Sequence, residues 1–130
     1  MCIRDRIDTL VGDKSPGQSV TPSFTLDDVD TTGYGLLLIP GGTINADTLR
    51  LQETAVDLAN AFATAGKPIA AICHGPWLLV EGNLVRNKTL TSYASLETDI
   101  ENAGGRWVDE EVSVDDTEGF TLITLSLIHI

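Results

Sequence analysis

The sequence predicts one α/β domain, an open and mostly parallel sheet with helices on both faces. Three observations predict it. Two short apolar runs, GLLLI at residues 35–39 and IAAIC at 69–73, are each closed by glycine and proline, as strands buried on both faces are. Between them, apolar side chains recur at helical spacing. Strand-like and helix-like stretches then alternate as far as residue 124.

Taken in order, residues 12–30 are rich in Pro, Gly, Ser and Asp and predict loops with a short strand at 23–29. The run 35–39 ends at Pro40-Gly41-Gly42. Leu51, Ala55, Leu58, Ala59 and Phe62 predict a helix over 48–65, stopped by Gly66. Lys67-Pro68 leads into the strand 69–73, His74-Gly75-Pro76 makes a turn, and Trp77 begins another helix, where a nearby proline costs little. Residues 88–92 predict a third strand. Ser95 is placed to cap a helix through Ala103, with Leu96, Ile100 and Ala103 facing inward and Gly104-Gly105 ending it. Short strand pieces are expected at 107–108, 111–114 and 120–124. No repeat or low-complexity linker interrupts them.

A chain of 130 residues with 42% apolar and 21% charged residues has the length and balance for one globular core. Its formal net charge of −11 disfavours nucleic acid and anionic lipid as partners. No run of eighteen apolar residues offers a membrane span, and MCIRDRIDTL lacks the apolar centre of a signal peptide. Only two cysteines are present, Cys2 and Cys73, so a reduced thiol in a cytoplasmic protein is the expectation.

The chemistry concentrates in GKPIAAICHGPWLLV, residues 66–80. A buried strand delivers Cys73 to a sharp turn, and a helix starts directly after it. The sulfur then lies at the positive end of a helix beside the imidazole of His74, both of which favour thiolate. The logic is that of a serine elbow with cysteine in its place. The competing reading is an inert buried thiol, the ordinary state of a lone cysteine. Gly75 belongs to the same turn.

The CHG elbow, the PGG turn after LLLI and the stretch LTSYASLETDIENAGGRWVDEEV occur together and in order. In that combination the sequence resembles the PfpI/ThiJ family from about Ile7 to Thr124. The resemblance implies a flavodoxin-like fold related to class I glutamine amidotransferases, with Cys73 as nucleophile and His74 as its base or orienting group. Gly41 and Gly42 then offer two backbone amides to an oxyanion; a tight turn that needs glycine explains them equally. Asp47 matches an acidic position that some members bring to the cysteine-histidine pair across a subunit interface, which implies a homo-oligomer. It also reads as an ordinary first-turn carboxylate. Tyr93 matches an aromatic position near the family pocket, or is a core tyrosine. Trp77 reads as packing under the elbow, and Asp109-Glu110-Glu111 as solvated surface.

Both ends depart from the family pattern. The family opens with a buried strand and a helix whose glutamate hydrogen-bonds the nucleophile, and nothing before Ile7 matches either. IDTLVGDK resembles the family's second strand. Residues 1–6 and 125–130 resemble nothing in the family, whose pattern continues after residue 124 into a polar loop and a last helix. A partial domain over 7–124 is therefore expected, with Leu125, Leu127, Ile128 and Ile130 as an apolar tail; a genuine minimal member is the alternative. The resemblance implies a cysteine enzyme acting on small reactive carbonyls or glycated groups, with no metal or dissociable cofactor. An intracellular peptidase acting on peptides and a stress-response module whose thiol is oxidised are the alternatives. An amidotransferase is disfavoured, because the only other histidine is His129, in the tail.

Overall fold

The structure is a computed structural model that describes residues 7–11 and 14–127. It opens with an antiparallel hairpin, β1 (Ile7–Val11) and β2 (Ser15–Val20). Every residue in this hairpin is exposed, so SPGQSV carries no apolar alternation from which a strand is read. The short strand expected at 23–29 does not form. Thr25 Oγ1 donates to Asp28 Oδ2 at 2.7 Å, and the Asp28 amide donates back to the Thr25 carbonyl at 3.2 Å, which closes a turn there instead.

The first apolar run forms β3 (Leu37–Ile39). The helix expected over 48–65 is two helices, α1 (Thr43–Arg50) and α2 (Glu53–Thr64). Gln52 is extended between them, at φ −93° and ψ 107°, and its carbonyl takes the first amides of α2. Leu51, which fitted the helical spacing, is exposed at the break. Both helices pack on the helix after Cys73, and α2 also lies against the strand before it. Gly66 closes α2 at φ +70°, as the sequence predicts.

The chain continues through β4 (Ile69–Ile72), α3 (Pro76–Glu81), β5 (Thr89–Leu90), α4 (Glu97–Asn102), β6 (Arg106–Trp107), β7 (Val112–Asp115) and β8 (Leu122–Leu125). Ser95 does not cap α4. It sits exposed in a short 3-10 turn at Ala94–Leu96, and α4 starts after Leu96 with no side-chain cap. Leu96 and Ile100 are buried as expected. Leu125 is also not a tail residue, since it ends β8 opposite Ile72 and Val112. Ile128 and Ile130 lie outside the described residues.

The main sheet has the order β3-β4-β8-β7, with three parallel strands and β7 antiparallel at one edge; β5 and β6 form a separate parallel pair. Register sorts its side chains into two faces. Leu37, Ile39, Ile69, Ala71 and Leu122 point one way and join the core with Ala55, Ala59 and Phe62 of α2, Leu78 and Leu79 of α3 and Ile100 of α4. The opposite face, Leu38, Ala70, Ile72, Ile123, Leu125, Val112 and Val114, is entirely apolar and takes no part in that core. Leu38 is 57% exposed and Val114 64% exposed. The sequence predicts helices over both faces, whereas the described core covers one.

Under β5, Lys88 is fully buried with its Nζ donating to the carbonyls of Thr117 and Phe120 and to Asp115, and it lies 4.0 Å from the Phe120 ring centroid. The bonds tie the loop between β7 and β8 to the body of the domain. Burial alone would raise the Asp115 carboxyl. The Thr117 hydroxyl, the amides of Thr89 and Thr117, and the Lys88 ammonium outweigh it and hold the pKa at about 2. Among the described residues no helix is long and apolar enough to cross a membrane.

Candidate active site

Cys73 follows the last residue of β4 at φ +59°, in the left-handed region that side chains other than glycine rarely occupy. The surrounding backbone holds it there. Its amide donates to the Leu125 carbonyl at 2.9 Å, and its carbonyl accepts the Tyr93 amide at 2.8 Å. The Gly75 amide reaches back to the Ile72 carbonyl at 2.8 Å, so the chain reverses within three residues and α3 begins at Pro76. The sharp strand-to-helix turn that the sequence predicts is therefore present, and it leaves Cys73 half-buried.

Two glycines make that turn sterically possible. A Cβ on Gly75 would lie 2.9 Å from the Ile39 carbonyl oxygen and 3.0 Å from that of Ile72. A Cβ on Gly41 would lie 2.9 Å from Cβ of Cys73, with Sγ at 3.7 Å. The PGG turn after β3 thus passes directly against the thiol. Gly42, at φ +93°, turns the chain from there into α1.

His74 is 93% buried, and its Nδ1 lies 3.2 Å from Sγ of Cys73. An imidazole at that distance is placed to take the thiol proton. Its other ring nitrogen, Nε2, lies 3.3 Å from Thr43 Oγ1. Tyr93 stacks on the ring at 4.7 Å and 22°, and Trp77 meets it edge-on at 5.4 Å. Trp77 Nε1 in turn donates to Asp99 Oδ2 at 2.9 Å. The structure thus brings Cys73, His74, Gly41, Gly75 and Tyr93 together, with Gly42 at the adjoining turn. Asp47 is exposed on α1, one turn beyond Thr43, and forms no hydrogen bond or ion pair among the described residues. Among those residues no three His, Cys, Asp or Glu side chains gather closely enough to hold a metal ion.

Thr43 and Asp99 escape sequence reasoning. Asp99 reads as a carboxylate at a helix N-terminus, and only the packing of α3 on α4 shows that it anchors an indole 22 residues away. Thr43 stands beside the PGG turn, which is the one signal of its position in the sequence.

The sequence pattern of the DJ-1/PfpI family matches residues 8–124, which takes in the turn, the elbow and the main sheet up to, but not including, the last residue of β8. The chain belongs to the DJ-1/PfpI family. Among DJ-1/PfpI relatives, it is similar to the deglycase PfpI of Pyrococcus furiosus, at 40% identity over 99 residues, covering 76% of this chain and 59% of that protein. It is also similar to general stress protein 18 of Bacillus subtilis, at 43% identity over 95 residues, covering 73% of this chain and 55% of the relative. The fold matches a crystal structure from Anabaena variabilis, a two-domain protein with DJ-1/ThiJ/PfpI-like and ferritin-like domains, at a TM-score of 0.77 and 32% identity. That match covers 84% of this chain and 30% of the other. The chain therefore spans somewhat more than half the length of these curated relatives.

Proposed function

We propose that this protein is a cysteine-nucleophile enzyme of the deglycase kind, acting on reactive carbonyls or the adducts they form on amines and thiols. The observation that carries the reading is the 3.2 Å approach of His74 Nδ1 to Sγ at a backbone-strained elbow. Such an arrangement supports proton transfer from Sγ to Nδ1, then attack of the thiolate on an aldehyde carbon. A C–S bond forms, the carbonyl oxygen receives the proton back from Nδ1, and a hemithioacetal results. The amides of Gly41 and Gly42 are the candidates for holding the oxygen as its charge develops, and Tyr93 is the candidate wall of the pocket. The deglycase PfpI, with 40% identity, and a relative named as a stress protein support the same reading.

The test uses a Cys2→Ser background, so that Cys73 is the one thiol. Its alkylation rate against pH is expected to show a midpoint well below the roughly 8.5 of an unperturbed cysteine. The same sample is expected to consume methylglyoxal, and to stop once Cys73 is alkylated. Carbonyl turnover that survives complete alkylation overturns the reading, as does oxidation to sulfinate by peroxide with no turnover at all. Peptide hydrolysis without carbonyl turnover overturns it in favour of a peptidase.

Asp47 and assembly go together. We propose a homo-oligomer in which Asp47, exposed on α1, approaches a neighbouring subunit's cysteine-histidine pair. Light scattering is expected to show a mass above that of one chain, and Asp47→Ala to lower turnover without unfolding the protein. A fully active monomer makes Asp47 an ordinary surface carboxylate.

A further inference from the structure

We infer that Thr43 is a positioning residue for His74, and through it for the Cys73 thiol. The inference rests on the reading of Cys73 and His74 as a working pair. Its basis is the line Sγ, Nδ1, Nε2, Oγ1, with contacts of 3.2 Å at one ring nitrogen and 3.3 Å at the other. The two aromatic neighbours fix the plane of the imidazole but not its flip. A half-turn about the Cβ–Cγ bond leaves the stack on Tyr93 and the edge contact with Trp77 in place. It also exchanges Nδ1 for a carbon at the sulfur and Nε2 for a carbon at Thr43. The contact with Thr43 Oγ1, together with that of Nδ1 with Sγ, favours the flip that points Nδ1 at Sγ.

The same hydroxyl matches the charge that the pair develops. When the thiol proton moves to Nδ1, the ring becomes an imidazolium and Nε2–H needs an acceptor, which the Thr43 oxygen supplies. Thr43 reaches this place because Gly42, at φ +93°, turns the chain so that α1 begins at the site. The charged groups on the packed elements are Asp47 and Arg50 on α1, Glu81 on α3, and Glu97, Asp99 and Glu101 on α4. Arg50 pairs with Glu81 at 3.2 Å, and Asp99 holds the Trp77 indole. None of these changes in the variants below.

Thr43→Val keeps the shape and removes the oxygen, while Thr43→Ser keeps the oxygen. In the Cys2→Ser background, Thr43→Val is expected to move the thiol titration upward and slow alkylation at pH 7 by about three- to tenfold, the effect of one lost hydrogen bond. Thr43→Ser is expected to restore both. In 15N spectra of labelled histidine, the His74 signals, identified by their loss in His74→Gln, are expected to shift in Thr43→Val and not in Thr43→Ser. Unaltered titration and unaltered His74 signals in Thr43→Val overturn the inference. So does equal loss in Thr43→Ser, which marks Thr43 as a packing group. If Thr43→Val fails to fold, Thr43→Ala carries the same comparison. Neither readout depends on carbonyl turnover, so a chain that turns over no carbonyl and still shows the Thr43→Val shift refutes the enzyme reading and leaves the positioning role intact.

Discussion

Cys73→Ser is expected to lower carbonyl turnover by roughly a thousandfold or more, the usual scale when a covalent nucleophile is removed. Serine occupies the same elbow at nearly the same volume, so the hydrogen bond its amide donates to the Leu125 carbonyl and the one its carbonyl accepts from the Tyr93 amide remain available. What disappears is acidity. A hydroxyl beside one imidazole stays protonated at neutral pH, whereas a thiol, with its much lower intrinsic pKa, gives up its proton far more readily. Turnover and melting temperature should be measured on the same preparation, with Cys2→Ser as a companion expected to match the parent. A Cys73→Ser protein that keeps a tenth of the turnover at an unchanged melting temperature would show that the chemistry does not pass through this sulfur.

Lys88→Met is expected to destabilise the fold by about 3–5 kcal/mol, the scale for removing one partner of a buried ion pair. Methionine fills most of the lysine's volume but donates nothing. It leaves the carbonyls of Thr117 and Phe120 without the ammonium and Asp115 without its cation, at a side-chain exposure of only 8%. Against a net stability of about 5–15 kcal/mol, that loss removes a large part of the margin. The effect should reach the site, because the loop held by Lys88 leads into β8, whose last residue accepts the Cys73 amide. Urea unfolding at pH 7 measures it; an unchanged midpoint refutes the clamp.

An acid limb belongs to the same prediction. Asp115 has a folded pKa of about 2 against an ordinary 3.8, so its contribution to stability is complete above about pH 4 and is lost as pH falls toward 2. Lys88→Met should keep most of that limb, since the Thr117 hydroxyl and the amides of Thr89 and Thr117 still hold the carboxylate. Loss of the limb in Lys88→Met would assign it to the lysine instead.

By itself, the sequence determined the α/β class, the strands at 37–39 and 69–72, the glycine that ends α2 and the elbow at Cys73. All are local: a short apolar run with a glycine or proline boundary constrains the backbone whatever packs beside it. The neighbours of Cys73 in sequence, His74 and Gly75, were legible for the same reason. Signals failed where a segment's partner is remote or absent. SPGQSV forms a strand through its pairing with β1, not through any pattern of its own. The 48–65 stretch breaks at Gln52, whose extended backbone separates two helices that both pack on α3. Lys88, which the sequence places only at the start of a strand, is buried with acceptors 27 to 32 residues away around it. Only the tertiary structure decided which groups meet the imidazole: Tyr93 on its face, Trp77 at its edge and Thr43 at Nε2. A residue's type and spacing determine what it is able to do, whereas a contact across 31 residues exists only once β3 and β4 lie side by side and bring the two turns at their ends together.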